Sequence, residues 1–278
     1  MKLKVLVDNN TLIDRYFEGE PGVSYYIEDG DSRILFDVGY SDLFIKNGEK
    51  MGIDFFNLDY LVLSHSHLDH TWGLEPYVKR LTEEVMEGRS LPRAKLVAHP
   101  GVFNSRTFTG EDELGITMDQ SRLEKFFEFN LSREALWLTD RLAFLGEIPR
   151  KNDFESQSPI GRVLIDGVYE DDYNIDDSAL VYKSDEGLVI ITGCSHAGIC
   201  NIIEAARALT GEMKIRDVIG GFHLQNPSER VLNKTVSYFK DLGTEKIHPC
   251  HCTDLRSKIA LAGVVELGEV GVAFEISY

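Results

Sequence analysis

The feature that most constrains this chain is a short apolar run ending in a cluster of ligand-type side chains. Leu58-Asp59-Tyr60-Leu61-Val62-Leu63 has the pattern of a buried strand, and it leads directly into Ser64-His65-Ser66-His67-Leu68-Asp69-His70. In extended chain, residues i and i+2 point the same way, so His65 and His67 can grip one ion together. Asp69 and His70 follow where the chain turns into a helix, and they can face a second ion. A carboxylate with imidazoles suits zinc first, with iron or manganese as alternatives. The bland alternative is a polar turn with chance histidines. Four potential ligands placed directly after a strand weigh against it.

The last third repeats this rhythm. Residues 187–192 read as a strand running into Gly193-Cys194-Ser195-His196, and residues 199–209 as a helix. A strand over 217–223 ends at His223, a helix covers 230–242, and a strand over 246–251 ends at His251. Ligand sites of layered α/β folds sit at strand ends, so these histidines are candidates for the rest of a two-ion site. His196 and His251 rank first as ligands. His223 is either a ligand or a proton donor, and together with Asp69 it is the candidate for a catalytic role. On a strand, the thiols of Cys250 and Cys252 would face one side and His251 the other. Buried free cysteines are usually small apolar fillers, which favours His251 as the ligand and gives Cys194 the same plain reading.

Elsewhere, Asp29-Gly30-Asp31 between two apolar runs signals a hairpin, and residues 41–51 look helical. Residues 119–129 fit an amphipathic helix. The rest of 101–161 is irregular and is expected to form a lid over the site. No window resembles a linker, so residues 1–278 are expected to form one α/β domain.

The balance of 29 basic against 46 acidic side chains leaves a formal charge of −17. A nucleic-acid partner would need the reverse, so nucleic acid is set aside. The acidic cluster Glu170, Asp171, Asp172, Asp176, Asp177 reads as a solvated loop. The opening residues are too polar for a signal peptide or a membrane span, so a cytoplasmic protein with four free thiols is expected. Oligomeric state is not legible.

At this point the residues carry a resemblance. His65-Ser66-His67-Leu68-Asp69-His70 resembles the H-x-H-x-D-H signature of the metallo-β-lactamase superfamily. Further segments resemble one branch of it: Val7-Asp8-Asn9-Asn10, Ile34-Leu35-Phe36-Asp37-Val38-Gly39, Gly146-Glu147-Ile148-Pro149-Arg150, Gly193-Cys194-Ser195-His196, Gly220-Gly221-Phe222-His223-Leu224 and His251-Cys252-Thr253. That branch is commonly named for 7,8-dihydropterin-6-methyl-4-(β-D-ribofuranosyl)aminobenzene-5′-phosphate synthase. The resemblance implies an αββα sandwich, with two mixed β-sheets flanked by helices and two divalent metal ions at one edge. Two departures stand out: Trp72 before Gly73, and Asp254 where the branch usually has Gly. The superfamily also takes a histidine and an acidic bridging ligand from regions where this chain offers Asp176 or Asp177, and Cys194.

From this follows an expected metal-dependent hydrolase of a small anionic or phosphorylated ester, acting through a metal-activated hydroxide. Asp37 would orient a ligand histidine from behind. A substrate phosphate would sit at the helix start after His196. Arg106 and Arg150 would add charge-assisted hydrogen bonds, and Trp72 an apolar wall. The alternatives are the pterin-linking transferase and a non-catalytic sensor of a ligand or metal.

Overall fold

Runs rich in Val, Ile, Leu and Tyr recur along the chain, and such residues suit a pleated, half-buried surface. The computed structural model, which describes residues 1–278, contains strands β1 (Lys2–Val7), β2 (Ser24–Asp29), β3 (Ser32–Phe36), β4 (Tyr60–Val62) and β5 (Lys95–Ala98) in the first part of the chain. The middle adds β6 (Arg106–Thr107), β7 (Glu128–Leu131), β8 (Leu136–Trp137), β9 (Leu142–Phe144), β10 (Arg162–Ile165) and β11 (Val168–Asp171). The last part holds β12 (Ala179–Ser184), β13 (Gly187–Thr192), β14 (Ile215–Gly221), β15 (Lys246–Cys250), β16 (Glu266–Leu267) and β17 (Glu275–Ser277). The helices are α1 (Leu43–Lys50), α2 (Leu68–Thr71), α3 (Leu74–Met86), α4 (Gln120–Leu123), α5 (Ile199–Thr210), α6 (Glu229–Leu242) and α7 (Leu255–Ala262).

Two seven-stranded sheets result, in the orders β17-β1-β2-β3-β4-β5-β7 and β16-β15-β14-β13-β12-β9-β8, with a three-stranded arm β11-β10-β6. Both large sheets are mixed. The first is parallel from β3 through β7, and the second from β13 through β16. Parallel neighbours need crossovers, and the helices provide them. Leu3, Val5, Ile27 and Phe36 of one sheet meet Leu180, Val189, Ile191 and Ile219 of the other in a shared interior layer. Outside, Phe44 of α1 and Tyr77 of α3 pack with Leu35 and Leu61, while Ile202 of α5 and Phe239 of α6 pack with Ile190 and Val218. Each such buried side chain contributes roughly 1.5–3 kcal/mol relative to exposure.

β1, β3, β4, β13, β14 and β15 end along one edge of the sandwich, and the segments that follow them carry the candidate ligands. In the middle the structure departs from expectation. Residues 119–129 do not form one helix. Asp119 accepts from Arg122 N and starts only the single turn α4, and the chain then enters β7, which pairs with β5. The short apolar spacing was compatible with both periods, and the open edge of β5 decides between them.

Candidate metal centre

β4 ends at Val62, and the chain then delivers His65 and His67 in extended conformation before α2 places Asp69 and His70. Across the sandwich, the turns after β13 and β15 deliver Cys194, His196 and His251. Donor atoms of Asp69, His70, Cys194 and His251 lie within 4.8 Å of one another, as do those of His65, Cys194 and His196. Cys194 belongs to both groups. His67, expected as a ligand, belongs to neither group, although its ring stands 4.7 Å from those of both His65 and His196.

The donor atoms converge in a way that fits cations. Nε2 of His65 and His196 face each other at 3.2 Å, and Nε2 of His70 and His251 at 3.3 Å. Cys194 Sγ is 3.2 Å from both His70 Nε2 and His251 Nε2. Buried lone pairs aimed at one another, instead of at hydrogen-bond donors, are the arrangement a metal ion satisfies, and imidazole, thiolate and carboxylate suit a borderline transition metal such as zinc. Burial pushes His65 and His196 well below the usual imidazole range, and neighbouring histidines add to this. Burial likewise lowers His67 to about 4. These rings are therefore neutral, the form that ligates. Burial would also lower His70, but the carboxylates of Asp69 and Asp37 outweigh it and raise it to about 9. A site that stabilises a proton there stabilises a divalent cation as well.

Three of the ligand rings are held from behind by an oxygen. Asp37 Oδ2 takes His70 Nδ1 at 2.7 Å. The same carboxylate accepts from Ser64 N and Ser64 Oγ, and Ser64 Oγ meets His65 Nδ1 at 2.9 Å. Asn9 Oδ1 takes His251 Nδ1 at 2.9 Å, and Asp8 Oδ1 accepts from His251 N. Each oxygen is placed to hold a proton on Nδ1 of its ring, which turns Nε2 toward the other donor atoms. Gly193 makes this assembly possible: a Cβ there would collide with Ser64 Oγ, so only glycine lets the end of β13 close on the Ser64–Asp37 pair.

The backbone turns sharply at these points. Asp37, Asn174, Ser195, His223 and His251 all have positive φ, between 49° and 65°. This corrects the alternation expected for Cys250, His251 and Cys252. The strand stops at Cys250, whose thiol lies 3.3 Å from Tyr25 Oη in the interior, and the turn sends His251 into the site. Cys252 Sγ contacts the carbonyl of Cys194.

Several residues expected at the substrate are engaged elsewhere. Arg106 is 3% exposed, with Nε on Asp172 and Nη2 on Asp176, each at 2.8 Å. The cluster read as a solvated loop is thus divided: Glu170 and Asp171 are exposed, but Asp172, Asp176 and Asp177 are buried. Asp176 and Asp177 belong to neither donor group; Asp176 Oδ2 accepts from Ser66 N and Asp177 Oδ2 from Ala197 N, bracing both arms of the centre. Arg150 donates to the carbonyl of Asn174 in the same turn. Trp72 stacks on Tyr40 and donates from Nε1 to Gly115 O, fastening α2 to the middle segment. Nor is the start of α5 open to a phosphate. Buried Glu155 already accepts from Cys200 N and Asn201 N, so a protein carboxylate occupies the anion position.

The open space lies beside the second donor group. A cavity of about 390 Å³ is bordered by His196 and His223, whose rings are 4.3 Å apart, and by Asn174, Phe222, Leu224 and Arg230. Arg230, in the first turn of α6, reaches Asp153 at 2.7 Å across its rim. Sequence reading passed over Arg230, Asn174 and Glu155. No spacing rule connects them to the histidines, and they meet only once the turn 172–177 and α6 are in place. Asp8 and Asn9 had a signal, since they follow a strand, but no assigned role.

Known proteins extend the picture. The Lactamase_B family, described as the metallo-beta-lactamase superfamily, matches residues 18–251. A Methanocaldococcus jannaschii protein named 7,8-dihydropterin-6-methyl-4-(beta-D-ribofuranosyl)-aminobenzene-5'-phosphate synthase is 30% identical, over 93% of this chain and 89% of its own. An uncharacterised protein of the same organism is 31% identical, over 94% and 93%. Among solved structures, a protein described as a metal-dependent hydrolase of the beta-lactamase superfamily aligns with a TM-score of 0.83 and 29% identity, over 100% of this chain and 99% of that one. YhfI of Bacillus subtilis, a metallo-beta-lactamase fold protein, shares the fold at a TM-score of 0.60 and 13% identity, with 99% of each chain covered. No helix is long and apolar enough to cross a membrane.

Proposed function

The chain belongs to the metallo-beta-lactamase superfamily, and from that premise we propose that it is a metal-dependent hydrolase of a small, anionic ester, phosphoester or lactone, using two divalent ions, zinc first. The observation that carries this reading is the convergence of His65, His196, Cys194, Asp69, His70 and His251 beside a cavity of about 390 Å³, a volume suited to a small molecule.

Bound divalent ions would supply Lewis-acid activation of a water molecule and of the substrate's electrophilic centre. The chain's own residues do the rest. Asp37, Ser64 and Asn9 fix which nitrogen of each ring is free, so the ligands need no rearrangement. The Asp69 carboxyl is pushed up by burial, yet His70 and His251 outweigh that and hold it below the usual carboxylate range. It therefore stays ionised. His223 borders both the cavity and His196, where it is placed to pass a proton to a leaving group. Phe222 and Leu224 give the cavity an apolar side that limits water, and Arg230 offers the substrate's negative group a cation.

The test is elemental analysis joined to a substrate screen. Close to two ions per chain are expected, with at least one lost in His67→Ala. Turnover of phosphoesters or lactones should vanish on chelation and return with added metal. Unchanged metal content in His67→Ala would overturn the assignment. The second reading, a pterin-linking transferase, is favoured by the 30% identity to the M. jannaschii synthase over most of both chains. Release of inorganic diphosphate from a pterin diphosphate only in the presence of an arylamine acceptor, with formation of the pterin-linked amine and no simple ester hydrolysis, would select it. Tight ligand binding with no turnover of either kind would select a sensor.

A further inference from the structure

Among the three signature histidines His65, His67 and His70, His67 is the exception. His65, His70 and His251 each turn one nitrogen to an oxygen, which fixes their tautomer, whereas Nε2 of His67 meets the side-chain nitrogen of Asn174 at 3.0 Å. Nδ1 of His67 makes no hydrogen bond within the protein. Asn174 is fully buried, and its Oδ1 has no partner at all. If Asn174 Nδ2 donates to Nε2, a neutral His67 must carry its proton on Nδ1, and neither nitrogen then has a lone pair for an ion. The two orientations of a side-chain amide fill the same volume and differ only in which atom faces the neighbour. With the carbonyl turned inward, the orphaned oxygen gains a donor, His67 becomes the Nε2–H tautomer, and Nδ1 is free.

We propose that Asn174 is a positioning residue of the metal centre: its Oδ1 accepts the Nε2 proton of His67, which leaves the Nδ1 lone pair as the ligand toward the ion shared with His65 and His196. The residue is built in for this task. Asn174 N donates to Asp172 Oδ1, and its carbonyl accepts from Arg150 Nη2. Arg106 clamps Asp172 and Asp176 on either side of it. The backbone at Asn174 has φ +49°, a conformation that asparagine tolerates well and most residues do not. The buried Arg106 that was expected at the substrate thus acts through this turn on His67.

This assignment rests on His67 being an ion ligand, and its test separates the two claims. Long-range proton–nitrogen correlation on ¹⁵N-histidine-labelled, metal-free protein should show His67 as the Nε2–H tautomer. An Nδ1–H tautomer would overturn the proposal, with no ion involved in the measurement. Two variants then read affinity for zinc by competition with a chelator. Asn174→Asp keeps an acceptor and should hold both ions within a few-fold of the parent. Asn174→Gly removes the side chain while suiting the positive φ, and it should weaken one ion by roughly 10- to 100-fold. An Asp variant as weak as the Gly variant, or a Gly variant equal to the parent, would overturn it. Zinc-independent behaviour of every variant, including His67→Ala, would instead defeat the reading of His67 as a ligand, and this proposal with it.

Discussion

The two halves of the metal centre are propped from different parts of the molecule. His70 and His251 are backed by Asp37, Asn9 and Asp8, which follow the ends of β3 and β1 in a seven-stranded sheet. His67 and Ser66, by contrast, are backed by Asn174 and Asp176, in a turn that leaves the small three-stranded arm and is held by Arg106. His65 draws on the first support through Ser64, although its donor atom lies with those of Cys194 and His196. The first support is continuous with the interior layer between the sheets. The second is a turn in which buried and exposed residues alternate, held by one buried guanidinium. A site can therefore be assembled from a well-anchored half and a half whose order depends on a few charged contacts, and the two should fail separately.

The strongest test of that division is Asp37→Ala, because Asp37 is the one prop that serves both groups. Removing it leaves His70 Nδ1 and Ser64 without their acceptor. Loss of both ions is expected, together with roughly 3–5 kcal/mol of stability, by analogy with breaking a buried charge pair. Urea unfolding and metal analysis would show this, and retention of two ions would break the comparison. Next comes Arg106→Met, which strands two buried carboxylates. We expect a similar stability loss of about 3–5 kcal/mol, with preferential loss of one ion. Equal weakening of both sites in chelator titrations would show that the halves are not independent. Asn9→Ala should act on the opposite half and more mildly, lowering affinity for the other ion roughly 10-fold. Finally, Arg230→Ala touches neither support. Metal content should stay at the parent level while KM for anionic substrates rises about 10-fold, the size of one exposed charge-assisted hydrogen bond. A change in metal content instead would place Arg230 inside the scaffold.

The same division explains what was readable in advance. His65, His67, Asp69 and His70 lie in one heptapeptide, where the strand period and the following turn dictate their directions, so a local rule suffices. His196, His223 and His251 were readable because each follows an apolar run at a strand end. Arg106 was not, since its partners Asp172 and Asp176 lie 66 and 70 positions away and a buried ion pair looks like any surface charge in the sequence. Glu155 was missed for a related reason. An acid that caps a helix usually stands just before or within its first turn, and this one reaches α5 from 45 positions upstream. The split of residues 119–129 between a turn and β7 depended on a neighbouring strand edge, which no local pattern contains.

The left-handed residues around the site have a consequence for the protein's robustness. Ser195, His223 and His251 each hold a conformation that costs an ordinary L-residue about 1–2 kcal/mol, while Asp37 and Asn174 tolerate it more easily. Domains of ordinary size have only about 5–15 kcal/mol of net stability, so this rim is a substantial draw on the margin. Heat tolerance and turnover should consequently pull in opposite directions there. In a library selected for thermal survival alone, glycine should accumulate at positions 195 and 223. Adding a selection for catalysis should return histidine to position 223, while position 195 keeps its glycine despite losing the bond from Ser195 Oγ to the carbonyl of Gly221.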